Sequence, residues 1–332
     1  MTHRRSRLKH KRVIAITGVN GFIGSNLLKR LQSRSDYQVI ALDRHQPSFL
    51  EPPTKFYQID LTIPTIDATI AEILERESCD TFIHAAFFNS PSHSRSHPHE
   101  VEVIGSINVL HACAKVKIHK ILVASTTMVY GANPTNPNFL TENHPLNINP
   151  RYRFVADKVE VEKEIRRYRK KRPETIVTVL RPCTILGPTI KNFVTDYLSR
   201  PVCITLLGYD PLFQAVHEED LLNAWDLVIE GDYSGEYNIV GRGVLPFFTL
   251  LRLAGKPILP IFHGIAYPMV DALWLAQVTR APAPHLDYIR YVWVADGTKA
   301  KEELGFEAKY STKEALESYL GIQRLRQIHL VE

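Results

Sequence analysis

The densest chemistry in this 332-residue chain lies near its start, in the run Thr17-Gly18-Val19-Asn20-Gly21-Phe22-Ile23-Gly24. Glycines at this spacing suit a pyrophosphate. Gly18 permits a tight turn, Gly21 lets backbone N–H groups approach an anion, and Gly24 lets a helix pack closely on the preceding strand. Asn20, Phe22 and Ile23 belong to the same loop and helix start. Asp43 follows Gly24 by about 20 residues, where a carboxylate accepts bonds from adenosine ribose hydroxyls and repels a 2′-phosphate. That favours NAD, whereas Arg44 next to it could neutralise the extra phosphate of NADP. His93, His97 and His99 include an i, i+4 pair, the spacing of two metal ligands on one helical face. Pro91, Pro98 and the nearby serines predict a loop instead, and with no thiol or carboxylate cluster to complete a shell no metal site is expected. Cys79, Cys113, Cys183 and Cys203 lack CxxC spacing, which reads as reduced thiols in a cytoplasmic protein.

These residues need a frame that holds them. Short β-rich runs at 13–17, 39–42, 55–59, 80–85, 120–125 and 176–181 alternate with longer helical patterns. Such alternation predicts a doubly wound parallel sheet of Rossmann type, α/β in class, with helices on both faces. The glycine-rich loop then sits between the first strand and a helix carrying Ile23, Leu27, Leu28 and Leu31. After about Pro182 the elements shorten and Pro and Gly become more frequent. The expected organisation is a basic flexible tail over 1–12, a dinucleotide-binding domain over 13–182, and a smaller lobe over 183–332 that mainly binds substrate while some segments return to the first domain.

Further stretches fall in a recognisable order: Asp60-Leu61, His84-Ala85-Ala86, Asn108, Ser125-Thr126-Thr127-Met128-Val129-Tyr130-Gly131, Leu180-Arg181-Pro182, Val216-His217-Glu218-Glu219-Asp220 and Lys301 to Phe306. Together with the glycine loop, the chain resembles an extended short-chain dehydrogenase/reductase of the NAD-dependent epimerase/dehydratase group along nearly its whole length. The resemblance implies that Asp60 and Leu61 contact adenine, that Ala85 and Ala86 lie over the pyrophosphate, and that Asn108 props the active site. Pro182 is implied in the cofactor site. Thr126 would hydrogen-bond the substrate, with Thr127 and Thr184 beside it. A small-molecule substrate is implied, and a homodimer through the helices carrying 97–116 and 153–171.

The chain departs from that pattern at the catalytic pair. Where the family has YxxxK, this sequence reads Phe154-Val155-Ala156-Asp157-Lys158, so the lysine that would hold the nicotinamide ribose is present and the phenol is not. Tyr152 is the fallback acid. At about 100° per residue it stands about 240° from Lys158, so it serves only if the helix starts later or bends. Phe213 occupies the place where nucleotide-sugar members often carry a pyrophosphate-gripping arginine, and Thr184 replaces an asparagine of the sugar-phosphate site. Arg181, Lys191 and Arg242 remain as other phosphate-binding candidates.

The expected function is therefore NAD-dependent hydride transfer on a sugar-like or other hydroxyl/carbonyl substrate, with an atypical active site. The alternative is a catalytically silent NAD(H)-binding sensor or scaffold. Nucleic acid is not an expected partner: Arg4, Arg5, Arg7, Lys9, Lys11 and Arg12 hold more positive charge than the whole net excess of +5, and no basic stripe with stacking aromatics follows. The apolar stretch from Pro257 to Val278 is broken by Pro260, Gly264, Pro268 and Asp271, which predicts a greasy flap or interface rather than a transmembrane helix.

Overall fold

The structure, a computed structural model, describes residues 11–94 and 96–328. Arg4, Arg5, Arg7 and Lys9 of the basic tail lie outside the described residues. Arg12 was expected in that tail and instead opens the first strand, where its side chain reaches Thr81 and Asp80.

Six strands come from residues up to 182: β1 (Arg12–Thr17), β2 (Tyr37–Asp43), β3 (Lys55–Gln58), β4 (Thr81–His84), β5 (Lys120–Ala124) and β6 (Ile176–Pro182). Four short strands follow, β7 (Thr184–Leu186), β8 (Cys203–Leu206), β9 (Leu212–Phe213) and β10 (Ala215–His217). The chain then returns to the central sheet as β11 (Gly235–Ile239). That sheet has seven strands in the order β11-β6-β5-β4-β1-β2-β3, every neighbouring pair parallel. The winding direction reverses between β1 and β4, so their carboxyl ends border the crevice where such sheets take ligands.

Both faces are covered, which is why the inner strands read as nearly continuous apolar runs. On one face Leu27, Leu28 and Leu31 of α1 (Phe22–Gln32) join Leu221, Trp225 and Val228, which lie on a helix formed by Glu218–Glu230. On the other lie α2 (Ile66–Arg76), α4 (Gly105–Val116) and α5 (Arg153–Lys171), while the short α3 (Ser96–His99), which buries no residue, precedes α4 in the chain. Ile70, Val109, Val161 and Ile165 pack there. Each buried Leu or Ile contributes about 1.5–3 kcal/mol. The loop expected around the histidines is partly helical. Ser96–His99 forms a turn that runs through a π-helical segment, Glu100–Ile104, into α4. Pro98 is tolerated because the first turn of a helix leaves N–H groups unpaired anyway.

In the C-terminal half follow α6 (Phe193–Leu198), α7 (the Glu218–Glu230 helix), β12 (Leu245–Pro246), α8 (Phe247–Leu253), β13 (Ile258–Ile261) and α9 (His263–Leu275), and a second core gathers Leu186, Val194, Leu198, Phe247, Leu250 and Leu316. The chain ends with α10 (Thr298–Leu304) and α11 (Thr312–Gln327). α7, β11 and α10 serve the main core through Trp225, Tyr237 and Leu304, so segments beyond residue 183 pack with the first half of the chain. Among the described residues no helix is long and apolar enough to cross a membrane.

Candidate active site

The glycine loop leaves β1 with Gly18 at φ +72°, and its turn is closed by the Gly21 N–H donating to the Gly18 carbonyl at 2.9 Å. A Cβ on Gly18 would stand 2.6 Å from the Ala85 oxygen and 2.7 Å from the Ala86 Cα; one on Gly24 would stand 2.1 Å from the Gly18 oxygen. Only glycine fits either place. α1 follows directly on Gly21, with no side-chain cap and no acid in its first turn, so its free N–H groups and positive dipole end face the crevice. This cradle fits the pyrophosphate of a dinucleotide.

At the end of β2, Asp43 accepts from the Asn20 N–H at 3.1 Å and the Arg44 N–H at 2.7 Å, which fixes its carboxylate beside the loop. Arg44 turns to Asp60, with Nε 3.4 Å from Oδ2. Burial pushes the Asp60 carboxyl up, but the Thr62 N–H and hydroxyl together with Arg44 outweigh it and hold the group below the usual range. The guanidinium that could have met a 2′-phosphate is thus occupied, and Asp43 stays to repel one. The site fits NAD. Leu61 is buried in the core cluster that includes α2 and α4.

Beyond the loop lies a chamber of about 100 Å³ lined by Gly21, Phe22, Ile23, Ala85, Thr126, Phe154, Lys158, Pro182 and Thr184 among others. Thr126 caps a 3₁₀ turn, Thr127–Tyr130, its hydroxyl accepting from the Met128 N–H at 3.3 Å. Phe154 and Lys158 stand one turn apart on α5, with the ammonium 4.5 Å from the ring centroid. Lys158 is 6% exposed and donates to Glu102 Oε1 at 2.7 Å and to the Phe88 carbonyl at 3.2 Å. Glu102, 1% exposed, also accepts from the Phe88 N–H at 2.7 Å. Burial raises its pKa, against the opposing pull of Lys158 and the Phe88 N–H. The π-helical segment carries Glu102, and its widened turn belongs to a class that recurs at functional sites.

Several expected roles need correction. Tyr152 precedes α5, is buried, and bonds to His285 in an aromatic cluster with Tyr288, so it does not line the chamber. Its pKa is raised well above the ordinary value by burial. Thr127 has no exposed surface and cannot touch a substrate as it stands. Phe213 lines a neighbouring cavity instead of the chamber. Arg181 is fully buried, held by Glu162 and donating to the Tyr130 hydroxyl at 2.8 Å, so it is not free for phosphate. Arg242 is engaged by the Lys309 carbonyl and Glu314 on an exposed face. The buried Asn108 Nδ2 has no hydrogen-bond partner among the described residues.

The three histidines diverge. His93 stacks on Trp274, His97 meets Phe88 edge-on, and His99 pairs with Asp157 at 2.9 Å. A different cluster was missed: His99, Asp157 and Glu160 bring one donor atom each within 4.8 Å of one another, and could hold a cation. Glu102 was missed as well, because no spacing rule ties position 102 to position 158. Phe87, Phe88, Phe193 and Trp293, which also wall the chamber, carried no signal beyond being aromatic.

A family model described as the NAD dependent epimerase/dehydratase family matches residues 14–240. The chain belongs to this family. An uncharacterized protein of Mycobacterium tuberculosis is 29% identical over 320 residues, covering 94% of this chain and 84% of that protein. Among solved structures, UDP-glucose 4-epimerase of Thermotoga maritima with UDP-glucose superposes with a TM-score of 0.73 at 21% identity, covering 95% of this chain and 99% of that one. dTDP-glucose 4,6-dehydratase of Bacillus anthracis in complex with NAD gives 0.70 at 20% identity, covering 96% and 98%. At such identities the likeness concerns the fold. Family and fold together support an oxidoreductase of the NAD-dependent epimerase/dehydratase type.

Proposed function

We propose that this family member is a slow NAD-dependent oxidoreductase whose active site lacks the phenol that its relatives' motif carries. The observation behind this is the pairing of Phe154 with Lys158, one helical turn apart on the wall of the chamber, while Tyr152 is buried against His285. NAD, held by the glycine loop and Asp43, supplies the hydride acceptor and donor. Thr126 offers a hydroxyl to the substrate oxygen, Lys158 supplies fixed positive charge, and Phe154 and Phe193 keep water out of the chamber. No side chain in this set is a competent proton relay: threonine is too weak an acid, and Phe154 has no proton to give.

The Lys158–Glu102 pair favours a second reading, a silent NAD(H)-binding protein, since the ammonium is already bonded and has to be shared with a ribose. One experiment separates the readings. Proton transfer by a positioned group is typically worth about 10²–10⁴-fold, so Phe154→Tyr raises NAD-linked turnover of a bound alcohol or ketone within that range, and Tyr152→Phe changes it little. A fast native enzyme abolished by Tyr152→Phe refutes the first reading. No turnover in either variant, with normal NADH binding, supports the second.

A further inference from the structure

Beside the chamber lies a second and larger cavity of about 590 Å³, walled by α6, α8, α9 and the 3₁₀ segment Ala283–Ile289. Its lining is mainly apolar, with Phe193, Phe213, Phe247, Met269, Leu273 and Leu286 prominent. Phe193 and Trp293 line both spaces, so the cavity adjoins the chamber that holds Thr126 and Lys158. Its size falls within the range of sites that enclose a small organic ligand.

The polar groups around it are few and mostly committed. Arg280 pairs with Asp196 at 3.1 Å, and His93 stacks on Trp274 and bonds the Thr279 carbonyl. His285 is bonded to Tyr152, and burial takes its pKa down to about 4, so it is neutral near pH 7. Arg200 is the exception: it stands at an exposed position on the cavity's lining, and its side chain has no hydrogen-bond or ion-pair partner among the described residues.

The wall on the α9 side has an unusual composition. Ala266, Met269, Val270 and Leu273 repeat at helical spacing and turn toward the cavity. Apart from His263 and Asp271 the rest of the segment is largely apolar, unlike an ordinary surface helix: Phe262 is 52% exposed, Ile265 61% and Leu275 79%. Apolar surface therefore continues from the cavity to the outside of its wall.

We infer that this cavity binds an amphiphile, an aliphatic chain joined to one anionic group, with the chain among Phe213, Phe247, Met269 and Leu273 and the anion at Arg200. The inference rests on the reading above only in making this ligand the tail of the substrate whose hydroxyl or carbonyl reaches Thr126; binding itself does not depend on turnover. A nucleotide is a poor occupant. Phe213 offers no donor to a pyrophosphate, and its neighbour Gln214 is spent on the Ala295 backbone at 2.9 and 3.0 Å.

The test is calorimetric titration of the full chain with butyl, hexyl, octyl and decyl phosphate, each below its micellar concentration, with inorganic phosphate and UDP as controls. Affinity rises with chain length, up to about fourfold for each added methylene, until the cavity is filled. Arg200→Gln weakens alkyl phosphates about tenfold and leaves the matching alcohols unchanged. Met269→Glu abolishes the chain-length gain. Leu275→Glu, on the outer face, does not. Affinities flat with chain length, UDP binding tighter than octyl phosphate, or a gain removed by Leu275→Glu and retained in Met269→Glu each overturn the inference. Alkyl phosphates that bind, while hydroxyalkyl and oxoalkyl phosphates of the same length give no NAD-linked turnover with the native chain or with Phe154→Tyr, refute the oxidoreductase reading and leave the cavity assignment standing.

Discussion

Glu102→Leu takes one partner from an ion pair that is almost fully enclosed. The Lys158 ammonium keeps only the Phe88 carbonyl at 3.2 Å and the faces of Phe154 and Phe87, with ring centroids at 4.5 and 5.6 Å. The Phe88 N–H loses its acceptor at the same time. Breaking a buried pair on one side costs about 3–5 kcal/mol, because a charge is left without compensation. A chain of this length unfolds with an entropy of about 0.7 kcal/mol/K, so the expected loss in Tm is roughly 4–7 °C. Lys158→Met combined with Glu102→Leu removes both charges and recovers most of that loss. Differential scanning calorimetry of the four proteins gives the coupling directly. A Tm within one degree of native for Glu102→Leu, or a double variant that loses the sum of its parents, would show that the two groups do not depend on each other as described.

Gly24→Ala demands space that the Gly18 carbonyl occupies at 2.1 Å, so the loop shifts and NADH affinity falls at least tenfold, read by quenching of protein fluorescence. NAD(H) binds more tightly than NADP(H), and Asp43→Ala weakens NAD(H) by about 10–100-fold while narrowing the preference; calorimetry showing equal native affinities would mean that Arg44 leaves Asp60 for the phosphate. His84 is buried and bonded to the Thr17 and Ser106 hydroxyls at 2.8 and 2.9 Å, and burial lowers its pKa to about 3. The unfolded state therefore takes up a proton that the folded state refuses, and stability drains away as pH falls from about 6.5 toward 3, by about 3 kcal/mol at pH 4.5. His84→Gln flattens that dependence in urea titrations; an unchanged slope would assign the acid sensitivity to other groups.

The glycine loop, Asp43 and the alternating strand and helix patterns were legible in the sequence because they are local. A turn at φ +72°, a helix N-terminus and a carboxylate at a strand end are set by residues close in the chain, and the parallel sheet follows from the order of elements. Register on α5 was also legible, since position 154 must share a face with 158 once the helix forms. What lay opposite those residues was not. Glu102 reaches Lys158 across 56 positions through a π-helical segment, and His285 meets Tyr152 across 133. The inward turn of Thr127, the burial of Arg181 and the apolar cavity against Phe213 depend in the same way on which distant elements close over them. Sequence spacing fixes direction along one element; which group fills the space it points into is decided by packing between elements, and there the tertiary structure alone had the information.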